Sequence, residues 1–209
     1  GDIIKKNILG TFFHEHISHH SVYSLNKLFN KYGLYLEHVI PTNVQEGSII
    51  SFVSKRKIKK NISVKKFLLY EKKYKINTIQ ALKKFETYIK DKRETIKKLI
   101  RNYKSVSAFG AARSGPTIMK NYGFEKYVNY IFDDHVMKRG RFTPVSSIKI
   151  LETSKILKIR PDLIIITAYL YAKQIIRKNL NYLKSNGSFL IIHPKVQIIN
   201  KNNFMKFIN

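Results

Sequence analysis

Apolar and polar positions alternate with different periods along the chain. Residues 21–32 (SVYSLNKLFNKY) place four apolar side chains at the spacing of one helical face: Val22, Leu25, Leu28 and Phe29. Ser21 is a residue type favoured at helix starts, and Gly33 one favoured at helix ends. Two apolar runs follow at residues 34–41 (LYLEHVIP) and 47–53 (GSIISFV), separated by a polar turn. The pattern predicts a short amphipathic helix followed by an antiparallel β-hairpin.

The middle and the end of the chain show two further patterns. Residues 77–103 repeat apolar side chains at intervals of three, four and seven between charged ones, which predicts one long amphipathic helix. Between residues 105 and 200, strand-like runs (SVSAFG, YVNYIFDD, PDLIIITA and SFLIIHP) alternate with helical stretches (GPTIMKNYG and LYAKQIIRKNLNYLKSNG). The last of these helices is expected to end at Gly187. Strands that alternate with helices are typical of a parallel, Rossmann-like sheet.

These patterns together predict an α/β protein, in which a long helix and a helix plus β-hairpin precede a Rossmann-like, parallel-sheet C-terminal domain. We expect three parts: residues 1–60 with the first helix and the hairpin, a helical linker over residues 61–104, and the Rossmann-like domain over residues 105–209. A chain of 209 residues with 44% hydrophobic residues has enough apolar surface to build such cores.

The chain is strongly basic, with 40 Lys and Arg residues against 13 Asp and Glu residues and a formal net charge of +27. Such an excess alone would favour a polyanion such as nucleic acid. Only eight of the 40 basic residues are arginines, and Ile and Asn are also abundant, so part of the charge reflects biased composition. We therefore do not expect nucleic acid as a partner, and a basic nucleic-acid-binding module is kept as an alternative.

Several classes of protein are excluded by residue types and patterns that the sequence lacks. There is no cysteine, which excludes disulfides, thiolate metal sites and cysteine nucleophiles. No apolar run approaches the roughly 18 residues of a membrane span, and the first residues do not resemble a signal peptide. We expect a cytoplasmic protein with no membrane partner.

Four of the seven histidines are clustered near the start of the chain: His14, His16, His19 and His20. One hypothesis is a metal site, because His16 and His20 have helical spacing and His14 and His16 would share a face of an extended strand. The zincin pattern, however, would need a histidine in place of Ser18. A second is that these are polar loop residues without a function. The third is acid–base chemistry, since a histidine beside a carboxylate such as Glu15 can exchange protons near neutral pH.

Two loops at the predicted carboxyl ends of strands carry candidate ligand-binding residues. Residues 110–116 (GAARSGP) combine small residues, a cation and a helix start, which suits a phosphate group. Residues 133–141 (DDHVMKRGR) add a carboxylate for a hydroxyl group and cations for phosphate on the same rim. Tight strand–helix packing and a solvated basic loop are the competing interpretations. The residues expected to contact a ligand are Gly110, Arg113, Ser114, Gly115, Asp133, Lys138 and Arg141.

Five segments, in order along nearly the whole chain, resemble one enzyme family. FFHEHISHHSVYSLNKLFNKYGLYLEHV resembles a stretch with a Tyr-His-Glu-His motif, a helix that ends at glycine, and a strand. SAFGAARSGPTIMKNYG resembles a glycine-rich strand, turn and helix, and FDDHVMKRGRFTPVSSIKI an Asp-x-Asn-Pro-x-Lys-Gln-Gly-Arg-Tyr-x-Pro segment. TAYLYAKQI and GSFLIIHP fall where that family has a strand end and its last strand. The family is that of the sugar-nucleotide C-methyltransferases.

The resemblance implies an activity and a set of site residues. Enzymes of this family use S-adenosylmethionine to methylate a carbon of a keto-deoxysugar attached to a nucleoside diphosphate. By resemblance, His16 is the base that forms an enolate, Glu15 orients His16 or the sugar, and His14 supports them. Tyr169 joins the expected substrate-binding residues, and Phe13 stands where the family has tyrosine.

The resemblance also bears on cofactors and partners. The family's cysteine-rich zinc module and its glycine-rich cofactor segment have no counterpart in this sequence, so residues 1–60 resemble the end of a class I methyltransferase domain. We expect a nucleoside-diphosphate sugar as the substrate and no metal. The alternative function is a non-catalytic module that binds a sugar nucleotide or, because of its positive charge, a nucleic acid. We also expect that S-adenosylmethionine is bound by a further segment or chain, because its binding segment is absent here.

Overall fold

The computed structural model describes residues 2–57, 59, 61–144 and 146–208, so the predicted domain limits Gly1, Lys60 and Asn209 and the motif residue Val145 lie outside them. The chain forms two compact units, residues 1–88 and residues 89–209. The first contains α1 (Asp2–Lys6), α2 (Val22–Lys31), β1 (Tyr35–Thr42), β2 (Ser48–Ser54), α3 (Ile62–Lys73) and the start of α4 (Ile79–Ile100). After α4, the second contains β3 (Val106–Phe109), α5 (Gly115–Asn121), β4 (Val128–Phe132), β5 (Ile150–Leu151), α6 (Ile156–Ile159), β6 (Leu163–Ile166), α7 (Ala172–Lys178), α8 (Leu180–Lys184), β7 (Ser188–Ile191), β8 (Gln197–Ile199) and α9 (Phe204–Ile208).

Helix α2 and the β1–β2 hairpin form where the sequence predicts them. The hydroxyl of Ser21 accepts a hydrogen bond from the backbone N–H of Ser24 at 3.1 Å, and Ser24 Oγ accepts one from the N–H of Ser21 at 2.8 Å. This reciprocal cap starts α2, and Gly33 follows its end with φ of +67°. Strands β1 and β2 are antiparallel. The buried core of this unit joins α2, β1 and α3 through Val22, Leu36, Val39 and Val64.

Helix α3 lies inside the segment predicted as a helical linker, residues 61–104, but the pattern does not mark it as a separate helix. Its inner face nevertheless buries Val64 completely and half-buries Phe67 and Leu68 against the core of the first unit. The segment expected to be a linker therefore contributes to a hydrophobic core. The boundary between the two compact units follows Tyr88, inside α4. The division into three parts at residues 60 and 104 stays a prediction.

Helix α4 has 22 residues and is the long amphipathic helix that the sequence predicts. Ile96 and Ile100 are buried on one side of it, while Lys98 is exposed. Neither α4 nor any other helix in the described ranges combines the length and the apolarity needed to cross a membrane.

The second unit contains the predicted Rossmann-like sheet, which confirms the α/β fold class. Its strand order is β5-β4-β3-β6-β7-β8; all neighbours from β5 to β7 are parallel, and β8 is antiparallel to β7. Every residue of β6 is buried, as is typical of a parallel sheet covered on both faces. Strands β4 and β6 lie on opposite sides of β3, so the chain order reverses there. Open α/β sheets bind ligands at the carboxyl edge beside such a reversal.

One predicted helix is divided in the structure. The stretch expected to be continuous up to Gly187 forms the 3-10 turn Tyr169–Tyr171 and the short helices α7 and α8. The two helices separate at Asn179, whose side-chain amide donates a hydrogen bond to the carbonyl of Ile175 at 2.7 Å. Gly187 is required for packing, because a Cβ there would lie 2.2 Å from Cε2 of Tyr182.

Candidate functional site

His16 lies in the loop between α1 and α2, and its hydrogen bonding selects one tautomer. Its Nδ1 is 2.8 Å from the carbonyl oxygen of Thr11. A carbonyl oxygen can only accept, so Nδ1 carries the proton and donates it. The other ring nitrogen, Nε2, is then left with a lone pair that can take up a proton. The predicted base is therefore in the tautomer that a base needs.

Two aromatic rings pack against the half-buried imidazole of His16. The ring centroid of Phe13 is 4.0 Å away at an interplanar angle of 37°, and that of His19 is 5.8 Å away at 86°. Phe13 has no hydroxyl group, so it orients His16 by packing alone. Burial, as the main cause, lowers the pKa of His19 below its ordinary value, which keeps that neighbour neutral at neutral pH.

A pocket of about 320 Å³ lies in the first unit beside His16. The loop between α1 and α2 contributes six lining residues, and the others come from α1, the start of α2, the hairpin and α3. The six loop residues are Thr11, His16, Ser18, His19, His20 and Ser21. Polar residues of the lining include Thr11, Thr42, Ser48 and Glu71. The pocket therefore combines one candidate base with several hydrogen-bonding groups.

Thr11 is a pocket residue that sequence reasoning missed. The residue is only 8% exposed, and its Oγ1 is a buried side-chain atom without a hydrogen-bond partner among the described residues. Leaving a buried hydroxyl unsatisfied costs about 1–3 kcal/mol. Because Thr11 lines the pocket and its carbonyl holds His16, a polar group of a bound ligand would be a suitable partner for this hydroxyl.

Glu71 is a second pocket residue that the sequence did not reveal. Its carboxylate is buried and accepts hydrogen bonds from the backbone N–H groups of Val22 at 2.7 Å and Tyr23 at 2.9 Å. A carboxylate at the first turn of a helix is favoured by the unpaired N–H groups there. Glu71 therefore fixes the start of α2 beneath the histidine loop, and its role in the pocket is structural.

The structure does not bring His14 and Glu15 into this pocket. Their side chains are 78% and 46% exposed, and His14 Nε2 is 3.9 Å from Glu15 Oε1. Neither residue lines the pocket that contains His16. Their predicted supporting roles remain predictions.

The histidine cluster does not adopt the geometry on which the metal hypothesis depends. Helix α2 begins at Val22, so His16 and His20 do not lie one helical turn apart. His20 Nε2 instead lies 3.0 Å from the hydroxyl of Ser18. In the described part of the chain, no group of three or more His, Asp or Glu side chains could hold a metal ion.

The predicted phosphate-binding turn follows β3 in the second unit and contacts the turn after β6. Gly110 has φ of +101°, and a Cβ there would lie 2.5 Å from the Cβ of Ala168. Thr167 Oγ1 donates to the carbonyl oxygens of Phe109 and Gly110. The two turns that flank the reversal of strand order are therefore bound closely to each other.

Asp133 joins the turn after β3 to the loop after β4. Its carboxylate accepts hydrogen bonds from the backbone N–H of Ala111 at 2.7 Å and of His135 at 2.8 Å, and Lys138 Nζ lies 3.3 Å away. This buried carboxylate was predicted to bind a ligand hydroxyl. In the structure it holds two candidate binding loops together.

The other predicted residues occupy different places at the sheet. Arg113 is exposed in the turn after β3, directly before Ser114 and Gly115, where α5 begins. Arg141 lies at the outer edge of the sheet, where its carbonyl accepts from the N–H of Ile150 in β5. Tyr169 follows β6, and its ring centroid is 4.8 Å from that of His193, which follows β7. Arg113 and Tyr169 thus lie nearer the reversal of strand order than Arg141 does.

The second unit belongs to the class of open α/β folds with a mostly parallel sheet. In such sheets the usual ligand site is the carboxyl edge. Residues 43–194, more than half of the chain, match the C-methyltransferase C-terminal domain, and the chain belongs to this family. It is also 27% identical over 205 residues to "C-methyltransferase NovU" of Streptomyces niveus. That alignment covers 95% of this chain and 49% of the relative, so the chain spans about half the relative's length. The resemblance inferred from the motifs is confirmed.

Proposed function

We propose that this chain is the C-terminal half of an S-adenosylmethionine-dependent C-methyltransferase that acts on a nucleoside-diphosphate keto-deoxysugar. The observation that carries the proposal is the hydrogen bond from His16 Nδ1 to Thr11, because it leaves Nε2 available as a base beside a polar pocket. Membership of the C-methyltransferase family supplies the reaction class.

His16 acts in the first step of the proposed reaction. The ketone of the sugar makes the neighbouring C–H bond acidic; Nε2 takes that proton, and the C–H electron pair moves into an enolate. The imidazole becomes an imidazolium, which the hydrogen bond from Nδ1 to the Thr11 carbonyl stabilises. When bound, S-adenosylmethionine supplies the electrophilic methyl group that the enolate carbon accepts. Proton removal comes first, so it can be measured without the methyl donor.

The methyl donor is, in this proposal, bound outside this chain's described residues. The strands of the first unit are those of the hairpin, joined by the 3-10 turn Val44–Glu46, and the described residues of that unit form no glycine-rich turn between a strand and a helix. We infer that a further segment or a partner chain binds the donor, and this chain spans only about half of NovU's length. The hairpin face with Ile50 and Phe52, each about half exposed, is where we expect it to pack.

Thr11 is the second residue that we place in the proton-removal step, with its hydroxyl donating to the enolate oxygen. Replacing Thr11 with valine removes only the hydroxyl, so we expect proton removal to slow by roughly tenfold or more. The same change should raise the free energy of unfolding by about 1 kcal/mol, because a buried unsatisfied group is removed. Hydrogen exchange of the substrate and chemical denaturation measure the two effects.

Two further variants separate this role from simple packing. Thr11→Ser keeps the hydroxyl and should retain most of the activity. Ser107 in β3 also has a buried hydroxyl without a partner among the described residues, so Ser107→Ala should stabilise the protein without slowing the reaction. Equal activity of Thr11→Val and the unmodified protein would remove Thr11 from the proposed step.

The carboxyl edge of the second unit's sheet is the proposed site of the nucleoside diphosphate. The turn with Gly110 and the turn with Tyr169 follow β3 and β6, the strands beside the reversal of strand order. Arg113 in the first of these turns can pair with a phosphate oxygen. Lys138 adds positive charge nearby, where it also lies 3.3 Å from Asp133.

Replacing Arg113 with alanine should weaken the binding of UDP-glucose, used as a probe, by at least about tenfold. The physical reason is the loss of a hydrogen bond to a charged phosphate, which contributes about 1.5–3 kcal/mol. Calorimetry at constant ionic strength measures the affinity. Arg141→Ala should have a smaller effect, because Arg141 lies beyond β4 and β5 at the sheet edge.

Arg101→Ala is the matched control for charge. It removes the same positive charge from an exposed residue that precedes β3, at the amino end of the sheet. Its affinity for UDP-glucose should equal that of the unmodified protein. An equal loss in the Arg101 and Arg113 variants would show a non-specific charge effect and would favour the alternative of a basic nucleic-acid-binding module.

A further inference from the structure

Lys92 is a buried cation near the start of the second unit. The residue lies in α4 and is only 6% exposed. Its Nζ donates a hydrogen bond to the carbonyl of Pro194 at 3.3 Å and lies 5.5 Å from the ring centroid of Tyr122. Burial lowers the pKa of this ammonium to about 8. Burying a lysine ammonium carries a large desolvation cost. We therefore expect Lys92 to have a role that an apolar side chain could not perform.

The carbonyl that Lys92 holds belongs to the segment that follows β7. In this segment His193 precedes Pro194, and the imidazole of His193 packs against the ring of Tyr169, with centroids 4.8 Å apart and an interplanar angle of 48°. Burial first, and then the charge of Lys92, lowers the pKa of His193 to about 4. The imidazole is therefore neutral at neutral pH, so it can pack beside Tyr169 without a charge of its own.

Tyr169 stands directly beside the turn that the proposed function assigns to phosphate. It follows Ala168, whose Cβ would be 2.5 Å from a Cβ at position 110. Strands β3, β6 and β7 are consecutive neighbours in the sheet, so the segments after them lie side by side at its carboxyl edge. A continuous series of contacts thus runs from Lys92 through Pro194 and His193 to Tyr169.

We propose that Lys92 is a positioning residue for the nucleotide site: its hydrogen bond to the Pro194 carbonyl fixes the segment after β7 and, through His193, the place of the Tyr169 ring. The inference rests on the proposed function, which puts the nucleoside diphosphate at this edge of the sheet. Lys92 itself does not touch the ligand. An apolar side chain could fill the same space, but it could not hold the carbonyl in one direction.

A double-mutant cycle on this chain tests the inference, with UDP-glucose as the probe and calorimetry as the measurement. Lys92→Met keeps an unbranched side chain of similar length without the ammonium, and we expect it to weaken binding about tenfold. Tyr169→Ala should weaken binding by a similar factor. The double variant should be no weaker than the weaker single variant, because Lys92 acts only through Tyr169. Lys92→Arg retains a donor and should bind within about threefold of the unmodified protein.

A measurement without ligand completes the test. In NMR spectra, the contact between the Tyr169 and His193 rings should be present in the unmodified protein and in Lys92→Arg, and lost or weakened in Lys92→Met. Replacing a buried charge by a packed apolar side chain is often neutral or stabilising, so Lys92→Met should fold, which thermal unfolding checks.

The outcomes separate the two proposals. If the unmodified chain binds neither UDP-glucose nor the corresponding thymidine diphosphate glucose, the proposed nucleotide site is wrong. If it binds and Lys92→Met binds equally well, or if the losses of the two single variants add in the double variant, the inference about Lys92 is wrong and the nucleotide site stands. If Lys92→Met does not fold, binding by Lys92→Arg decides: affinity near the unmodified value supports the inference, and a loss as large as that of Tyr169→Ala overturns it.

Discussion

Replacing His16 with asparagine is expected to slow methylation of the nucleotide sugar by about 10²–10⁴-fold, the range typical of the loss of a general base. The asparagine amide can still donate to the Thr11 carbonyl, so the variant loses little besides the basic Nε2 atom. Transfer of a labelled methyl group from S-adenosylmethionine measures the effect. The assay requires the full-length enzyme, or this chain together with the half that binds the donor.

The other histidines of the cluster serve as controls for this result. His20→Asn should reduce the rate much less, because His20 Nε2 faces the Ser18 hydroxyl and its ring is exposed. Glu15→Gln should also have a smaller effect than His16→Asn, since Glu15 acts in the proposal only by orienting its partner. If His16→Asn were active and His14→Asn inactive, the base would be His14 and the assignment to His16 would be wrong.

Replacing Gly110 with alanine is expected to lower the free energy of unfolding by roughly 2–5 kcal/mol. Two costs combine here. The φ of +101° is a conformation that residues with a Cβ rarely adopt, and the new methyl group would lie 2.5 Å from Ala168 Cβ and 3.0 Å from its backbone nitrogen. Because the two turns beside the proposed nucleotide site must separate, binding of UDP-glucose should weaken as well. Chemical denaturation and calorimetry measure these effects.

Gly140 provides a matched control within the same unit. It has φ of +72°, but a Cβ there would have no neighbour within 4 Å, so Gly140→Ala carries the conformational cost without the clash. We expect it to cost only about 1 kcal/mol. Combining Gly110→Ala with Ala168→Gly should recover part of the loss, since the closest contact disappears. Equal losses for the Gly110 and Gly140 variants would show that the close approach to Ala168 is unimportant.

The elements predicted correctly are those with strong local signals. Ser21 and Gly33 bracket α2, and the buried strands of the sheet are short apolar runs that helices separate. Helix α3 falls within the predicted helical linker, but its packing into the core was not foreseen, because only Val64, Phe67 and Leu68 pack there, among lysines. Strands β5 and β8 have two and three residues, too few to show a period, and they form through pairing with neighbouring strands.

The candidate site was predictable only where it depends on neighbours in sequence. The histidine cluster and its motif pointed to His16, and its hydrogen-bond partner Thr11 is only five residues earlier in the chain. The roles of other residues depend on partners far along the chain. Glu71 caps a helix 49 residues before it, and Lys92 holds a carbonyl 102 residues after it. Pattern alone assigns such side chains to the charged surface, because nothing near them in sequence marks them as buried.

Hydrogen exchange at the carbon beside the sugar ketone tests the proposed role of this chain most directly. The nucleotide keto-sugar is incubated in heavy water with the full-length enzyme, or with this chain and its donor-binding half, but without S-adenosylmethionine. We predict deuterium incorporation at that carbon, lowered by about 10²–10⁴-fold in His16→Asn and nearly unchanged in His20→Asn. Exchange that is undiminished when His16 is replaced would contradict the assignment of the base. A complete enzyme that methylates the sugar without donor-free exchange would contradict the enolate step itself.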